Sequence, residues 1–240
     1  MHDANVTASP LLKVDRLNAW YGESHVLHGM NFEVRPGEVV TLLGRNGAGK
    51  STTLRSIMGT LSKRTGKVTF AGRDLAGLRP DLIAREGIGY CPEERGIFAS
   101  LNVEENLEMP PVVKKGGMTI EEIYQLFPNL LERRKSPGTK LSGGEQQMLA
   151  IARILRTGAA LLLLDEPTEG LAPVIVQKIE EAVKILKQRG FTILLVEQNL
   201  QFATALADRH YVVEGGRVID SMDNRDVQHS MDKIQSYLGV

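Results

Sequence analysis

Three short stretches of this 240-residue chain carry residue types and spacings that could do chemistry. The first is Gly44-Arg45-Asn46-Gly47-Ala48-Gly49-Lys50-Ser51, followed by Thr52. Gly44, Gly47 and Gly49 lack Cβ atoms, so the backbone there can curl and turn its N–H groups toward an anion. The apolar run Val39–Leu43 precedes this loop, and Thr52, Leu54, Ile57 and Met58 recur after it at helical spacing. Strand, glycine loop and helix together are the context that makes a phosphate loop a site. A helix starting near Gly49 adds its positive end and its unpaired N–H groups. Lys50 supplies a mobile full charge, and the Ser51 hydroxyl can ligate a Mg²⁺ riding on the phosphates. This stretch implies a nucleoside triphosphate site.

The second stretch, Leu161-Leu162-Leu163-Leu164-Asp165-Glu166-Pro167, ends a fully apolar run with two carboxylates. In open α/β sheets ligands gather at the carboxyl ends of strands, so this end should face the phosphate loop. Asp165 is then the expected Mg²⁺ partner, and Glu166 is placed to polarise a water for attack on the γ-phosphorus. The third, Leu141-Ser142-Gly143-Gly144-Glu145-Gln146-Gln147, joins a hydroxyl and two glycines to the start of a long helix. Taken alone it is either an anion-holding helix tip or a plain serine cap.

The elements that must position these stretches follow from periodicity and turn residues. Leu12–Val34 alternates apolar and polar residues around a Tyr21-Gly22 turn, which predicts antiparallel strands. Further strands are expected at Lys67–Phe70, Ile88–Cys91, Leu161–Leu164, Thr192–Val196, Tyr211–Val213 and Arg217–Ile219. Helices are expected at Pro80–Glu86, from the capping box Thr119–Glu122, from Gly144 to Arg156, from Pro173 to Arg189, and near Met231–Leu238. Buried strands alternating with helices predict a parallel, doubly wound sheet.

Composition narrows the function. Twenty-nine basic residues balance 29 acidic ones, which argues against a general polyanion binder, so no nucleic-acid partner is expected. Cys91 is the only cysteine, so neither an intrachain disulfide nor a cysteine-based zinc site can form. The longest apolar runs, Ala159–Leu164 and Ile193–Val196, are too short to span a bilayer. The polar N-terminus lacks a secretory apolar region, and the chain closes soon after its last expected helix. The expectation is a cytoplasmic chain without an added regulatory domain.

Leu141–Gln147, lying between the phosphate loop and Asp165-Glu166, resembles the signature of ABC-type ATPases. The resemblance covers about Leu12 to Leu238 and implies a RecA-like P-loop core with a mostly parallel sheet. It also implies an N-terminal antiparallel β subdomain, with core and β parts at about 11–95 and 157–240, and a helical subdomain at about 96–156. In that family two such domains pair head to tail around two ATP molecules. Ser142, Gly143 and Gly144 would then touch the γ-phosphate held by a partner rather than the one on Lys50. Tyr21 falls where the family stacks an aromatic ring on adenine.

Three positions depart from the family pattern. Glu93 stands where most members have glutamine, Gln198 where a switch histidine is usual, and Ala172 where an aspartate is common. Gln198 can donate a neutral hydrogen bond to the γ-phosphate but cannot become cationic, and Glu93 keeps an oxygen for Mg²⁺ or water. A weaker site, or one relying on a different partner subunit, is the expectation. The stretches Pro92–Phe98, Val103–Leu107, Glu169–Pro173 and Val196–Asn199 resemble the ATP-binding subunits of branched-chain amino acid importers. Importers of urea, short amides and aromatic acids have similar subunits. That resemblance implies a second, non-identical ATPase subunit, two membrane-spanning permease subunits, a solute-binding protein, and a place on the inner face of the cytoplasmic membrane. It further implies coupling through the groove between core and helical subdomain, near Glu93 and Arg95–Leu107. A soluble ABC ATPase of ribosomes or DNA is disfavoured by the neutral charge and by the absence of a heptad run between Lys50 and Ser142. A P-loop kinase or GTPase leaves Leu141–Gln147 unexplained, and a non-hydrolysing pseudo-ATPase sits poorly with intact Lys50, Asp165 and Glu166.

Overall fold

The computed structural model describes residues 9–230 together with Lys233, Ile234 and Tyr237. Two sheets organise it. The first is antiparallel, in the order β2 (Ser24–Val34), β1 (Leu12–Tyr21), β4 (Lys63–Phe70) and β5 (Arg73–Asp74). The second runs β10 (Arg217–Asp223), β9 (Arg209–Glu214), β3 (Val39–Leu43), β8 (Thr192–Glu197), β7 (Leu161–Asp165) and β6 (Ile88–Cys91). Its five strands from β9 to β6 are parallel, and β10 closes the edge antiparallel to β9.

The apolar run of β7 explains its own position. Leu161 and Leu163 face one core together with β1, β2 and α1 (Lys50–Ile57). Leu162 and Leu164 face a second core, against α6 (Gly143–Arg156) and α7 (Pro173–Gln188). Successive side chains of a strand point to opposite faces, so a strand covered on both sides needs apolar residues at every position.

The segment between β6 and β7 is helical, with α3 (Val103–Glu108), α4 (Ile120–Leu126), α5 (Pro128–Glu132) and α6. Helix α2 (Pro80–Gly87) precedes β6, and α8 (Leu200–Leu206) follows β8. The expected strands and helices are found with shifted ends: β4 begins four residues before the expected Lys67, because its first half pairs with Trp20 and Ala19. Of the last expected helix, near Met231–Leu238, only Lys233, Ile234 and Tyr237 are among the described residues, and they are helical.

Strand order decides what meets at the carboxyl edge. β8 lies between β3 and β7, with Leu43 opposite Glu197 and Asp165 opposite Val196. The loops leaving β3, β8, β7 and β6 therefore emerge side by side. They carry Gly44–Gly49, Gln198, Glu166 and Glu93.

Candidate nucleotide site

Helix α1 begins with Gly49 as its N-cap, in the left-handed region at φ +105°, and no side chain caps it. Its first N–H groups thus lack a side-chain acceptor, which suits an anion. Gly47 is also left-handed, whereas Gly44 is glycine for a different reason: a Cβ there would run into the Val213 carbonyl oxygen. The cradle is pressed against β9 and cannot widen on that side.

Around this cradle Asn46, Gly47, Lys50, Ser51, Thr52, Glu93, Glu166 and Glu169 line a cavity of about 330 Å³. Lys50 Nζ donates to the carbonyl oxygens of Gly44 at 2.9 Å and Arg45 at 3.1 Å, and lies 3.0 Å from Glu166 Oε1. Both side chains of this ion pair are almost wholly buried, at 3% and 6% exposure. Asp165 is fully buried and accepts from Ser51 Oγ at 2.8 Å and from the Tyr90 hydroxyl at 3.0 Å. Burial pushes the Asp165 carboxyl above its ordinary value despite these two donors. A carboxylate and a hydroxyl set side by side, next to a cavity rich in positive backbone ends, form a donor set of the kind that Mg²⁺ takes.

Glu166 adopts φ +43°, a left-handed backbone that non-glycine residues enter at a cost of roughly 1–3 kcal/mol. Its N–H is held by the Val196 carbonyl at 3.0 Å. Burial raises the Glu166 carboxyl, but hydrogen bonding with the Glu169 carboxyl and the Lys50 ammonium outweighs it, and its pKa lies below the usual value. Glu169, though exposed, takes the opposite shift, to about 7, because it hydrogen-bonds Glu166, with desolvation and the nearby Glu166 and Glu93 charges adding to the rise. Of the two carboxyls, then, Glu169 keeps a proton toward neutral pH and Glu166 stays ionised. Gln198 Nε2 lies 3.5 Å from Glu166 Oε2. Tyr21 is 42% exposed, and its hydroxyl, with that of Tyr90, raises the pKa of Arg55 by hydrogen bonding.

The structure brings Lys50, Ser51, Asp165, Glu166, Gln198 and Glu93 to one edge. Ser142, Gly143 and Gly144 do not line this cavity. Ser142 caps α6: its Oγ accepts from the Glu145 N–H at 3.3 Å, and Glu145 Oε2 accepts from the Ser142 N–H at 2.7 Å. Arg95 lies against Gly143 and donates to Gln146 Oε1 at 2.9 Å. Sequence reasoning missed Tyr90 and Glu169. Tyr90 is 75 residues from Asp165 and reaches it only through the pairing of β6 with β7, whereas Glu169, three residues past Glu166, was within sight of the motif.

Comparison with known proteins identifies the family. Residues 27–169 match the sequence family described as ABC transporter. The high-affinity branched-chain amino acid transport ATP-binding protein BraG of Pseudomonas aeruginosa is 44% identical over 212 residues, 87% of this chain and 91% of BraG. A probable branched-chain amino acid transport ATP-binding protein LivF of Archaeoglobus fulgidus is 38% identical, over 87% of this chain and 90% of its own. Among solved structures, a dimeric ATP-binding cassette in a post-hydrolysis state with ADP and Pi superposes with a TM-score of 0.75. It is 27% identical and covers 89% of this chain and 99% of the cassette. With the match spanning the phosphate loop, the helix tip and the paired carboxylates, the chain belongs to the ABC transporter family, as one of its ATP-binding, ATP-hydrolysing subunits.

Proposed function

We propose that the chain couples ATP hydrolysis to import of branched-chain amino acids, seated on the cytoplasmic face of two permease subunits and paired with a second, non-identical ATPase subunit. A solute-binding protein delivers the amino acid to the permeases. The reading of the substrate is supported by the names of the two relatives. No helix among the described residues is long and apolar enough to cross a membrane, so membrane-spanning segments would come from partners. The helical stretch at 96–156, with Glu93 and the segment Arg95–Leu107, forms the side on which permease movement is felt.

One observation carries the mechanism: Lys50 and Glu166 form a buried ion pair inside the cradle. A triphosphate in the cradle competes with Glu166 for the Lys50 ammonium. When Lys50 turns to the phosphates, Glu166 loses a cation that held its pKa down and becomes the better base. Glu166 then takes a proton from the attacking water as the water oxygen bonds the γ-phosphorus and the bond to the β-phosphate oxygen breaks. Gln198 donates to the γ-phosphate, and Tyr21 stacks on adenine. Ser51 and Asp165, with Glu93 across the cavity, are the residues that would hold Mg²⁺, which supplies charge neutralisation for the phosphate oxygens. Ser142, Gly143 and Gly144 complete the partner's site, and the partner's equivalent tip completes this one.

The test is Glu166→Gln, assayed with the partner subunit present. ATP binding is retained and hydrolysis falls roughly 10²–10⁴-fold, the usual scale for losing a general base. Turnover within a few-fold of wild type refutes the assignment.

A further inference from the structure

Behind the cavity lies a buried carboxylate with no part in the chemistry above. Glu197 ends β8 and is 2% exposed. Its Oε1 accepts from Thr168 Oγ1 at 2.8 Å, and its Oε2 accepts from the N–H groups of Gln198 and Asn199, each at 3.2 Å. All of these donors are neutral. A carboxylate taken out of water costs several kcal/mol that neutral donors offset only in part, so an apolar residue would serve packing alone better.

What distinguishes Glu197 is where its donors sit. Gln198 opens the segment that leaves β8 and reaches Glu166 Oε2 with its own amide. Thr168 is two residues past Glu166, in a tight turn where the Glu169 N–H bonds the Glu166 carbonyl at 3.1 Å and the Leu171 N–H bonds the Thr168 carbonyl at 3.3 Å. Thr168 therefore moves with Glu166. The β7–β8 pairing ends with the bond from the Glu166 N–H to the Val196 carbonyl. Beyond it the two segments part to line a groove of about 570 Å³ that includes Thr168, Leu171, Asn199 and Phe202. The Glu197 side chain spans the point where they separate.

We propose that Glu197 is a positioning residue for hydrolysis: its carboxylate fastens the segment carrying Gln198 to the loop that follows Glu166, so the two groups facing the terminal phosphate are held and displaced together. This rests on the reading that Glu166 and Gln198 act on that phosphate. It predicts an effect on kcat that a simple packing role lacks. It also predicts coupling between Thr168 and Glu197, since each side chain acts only through the other.

The experiment compares Thr168→Val, Thr168→Ser, Glu197→Gln, the Thr168→Val/Glu197→Gln pair and Gln198→Ala, each in the assembled transporter. ATPase rates, KM for ATP and thermal midpoints are measured for all. Thr168→Val should lower kcat about 10-fold with KM within about twofold, a drop equivalent to roughly 1.4 kcal/mol of lost coupling. Thr168→Ser, which keeps the hydroxyl, should return to near the wild-type rate. Adding Glu197→Gln to Thr168→Val should slow the enzyme little further. The proposal is overturned if Thr168→Val keeps its kcat while Gln198→Ala loses at least 10-fold, or if the two changes multiply. A lowered thermal midpoint with unchanged kcat likewise reduces Glu197 to a packing residue. Wild-type turnover by Gln198→Ala would instead remove the reading on which the proposal stands, and the proposal with it.

Discussion

Two helix N-termini in this molecule have similar sequence equipment and opposite local chemistry. Helix α1 starts from a left-handed glycine with no side-chain cap, and its Lys50 is folded into the cradle. Helix α6 starts from Ser142 in a closed capping box, with the Glu145 carboxylate bonded back to the Ser142 N–H and 3.6 Å from Arg133. The first tip leaves its donors open to an anion. The second already satisfies one donor with its own carboxylate, so its welcome to a phosphate must come from the Ser142 hydroxyl and the glycine N–H groups at the very end. A glycine-rich helix start is thus not one kind of site. In the proposed function one tip holds a triphosphate and the other touches one that arrives held by a neighbour.

The largest expected break in this contrast is Lys50→Ala. It removes the only side-chain cation that lines the cavity among the described residues, and nucleotide affinity should fall at least about 100-fold, since the cradle then offers backbone dipoles without a full charge. Equilibrium binding of a fluorescent ATP analogue measures it, with Ser142→Ala as the control that keeps wild-type affinity in the isolated chain.

Next in size is a steric comparison. Gly44→Ala forces a methyl onto the Val213 carbonyl, and should destabilise the fold by about 2–3 kcal/mol, the scale of overpacking against backbone. Gly143→Ala meets only the ends of the Arg95 side chain, at 3.2 Å, and should stay within about 0.5 kcal/mol of wild type. Denaturant melts of both variants decide it. Equal destabilisation would mean that the two tips are equally confined.

Why the sequence announced both helix tips and hid the contacts behind them is a matter of distance along the chain. The phosphate loop, the two-faced apolar run of β7 and the carboxylates after it are local patterns, legible without a fold. The Asn102–Glu105 capping box of α3 was equally local and was passed over, as were the Pro128 start of α5 and the Asn199 cap of α8. The Lys50–Glu166 pair, Tyr90 on Asp165 and the Thr168–Glu197 bond depend on β3, β8, β7 and β6 standing in that order, which no local pattern contains. The left-handed backbone of Glu166 gives no sequence signal at all.

A smaller effect separates the buried edge from the exposed tip by pH. Burial raises the Glu197 carboxyl from 4.5 to about 7, against the hydrogen bonds from Thr168, Asn199 and Gln198, with the Glu166 charge adding to the rise. The folded chain therefore binds that proton more tightly than the unfolded chain does, so stability falls as pH rises between about 4.5 and 7. Glu197→Gln should flatten that decline, and the thermal midpoint should lose several degrees less between pH 5 and 7.5 than in wild type. Ser142→Ala, the smallest change, should cost about 1 kcal/mol through the lost cap, at every pH in that range.

The most direct test of the division between the two tips is Ser142→Asp. Aspartate caps α6 as well as serine does but places a second negative charge where a partner's γ-phosphate must approach. The isolated variant should fold and bind ATP like wild type, while the assembled transporter loses most of the hydrolysis at the site that this tip completes. Loss of ATP binding by the isolated chain, or wild-type turnover in the assembly, would contradict the account.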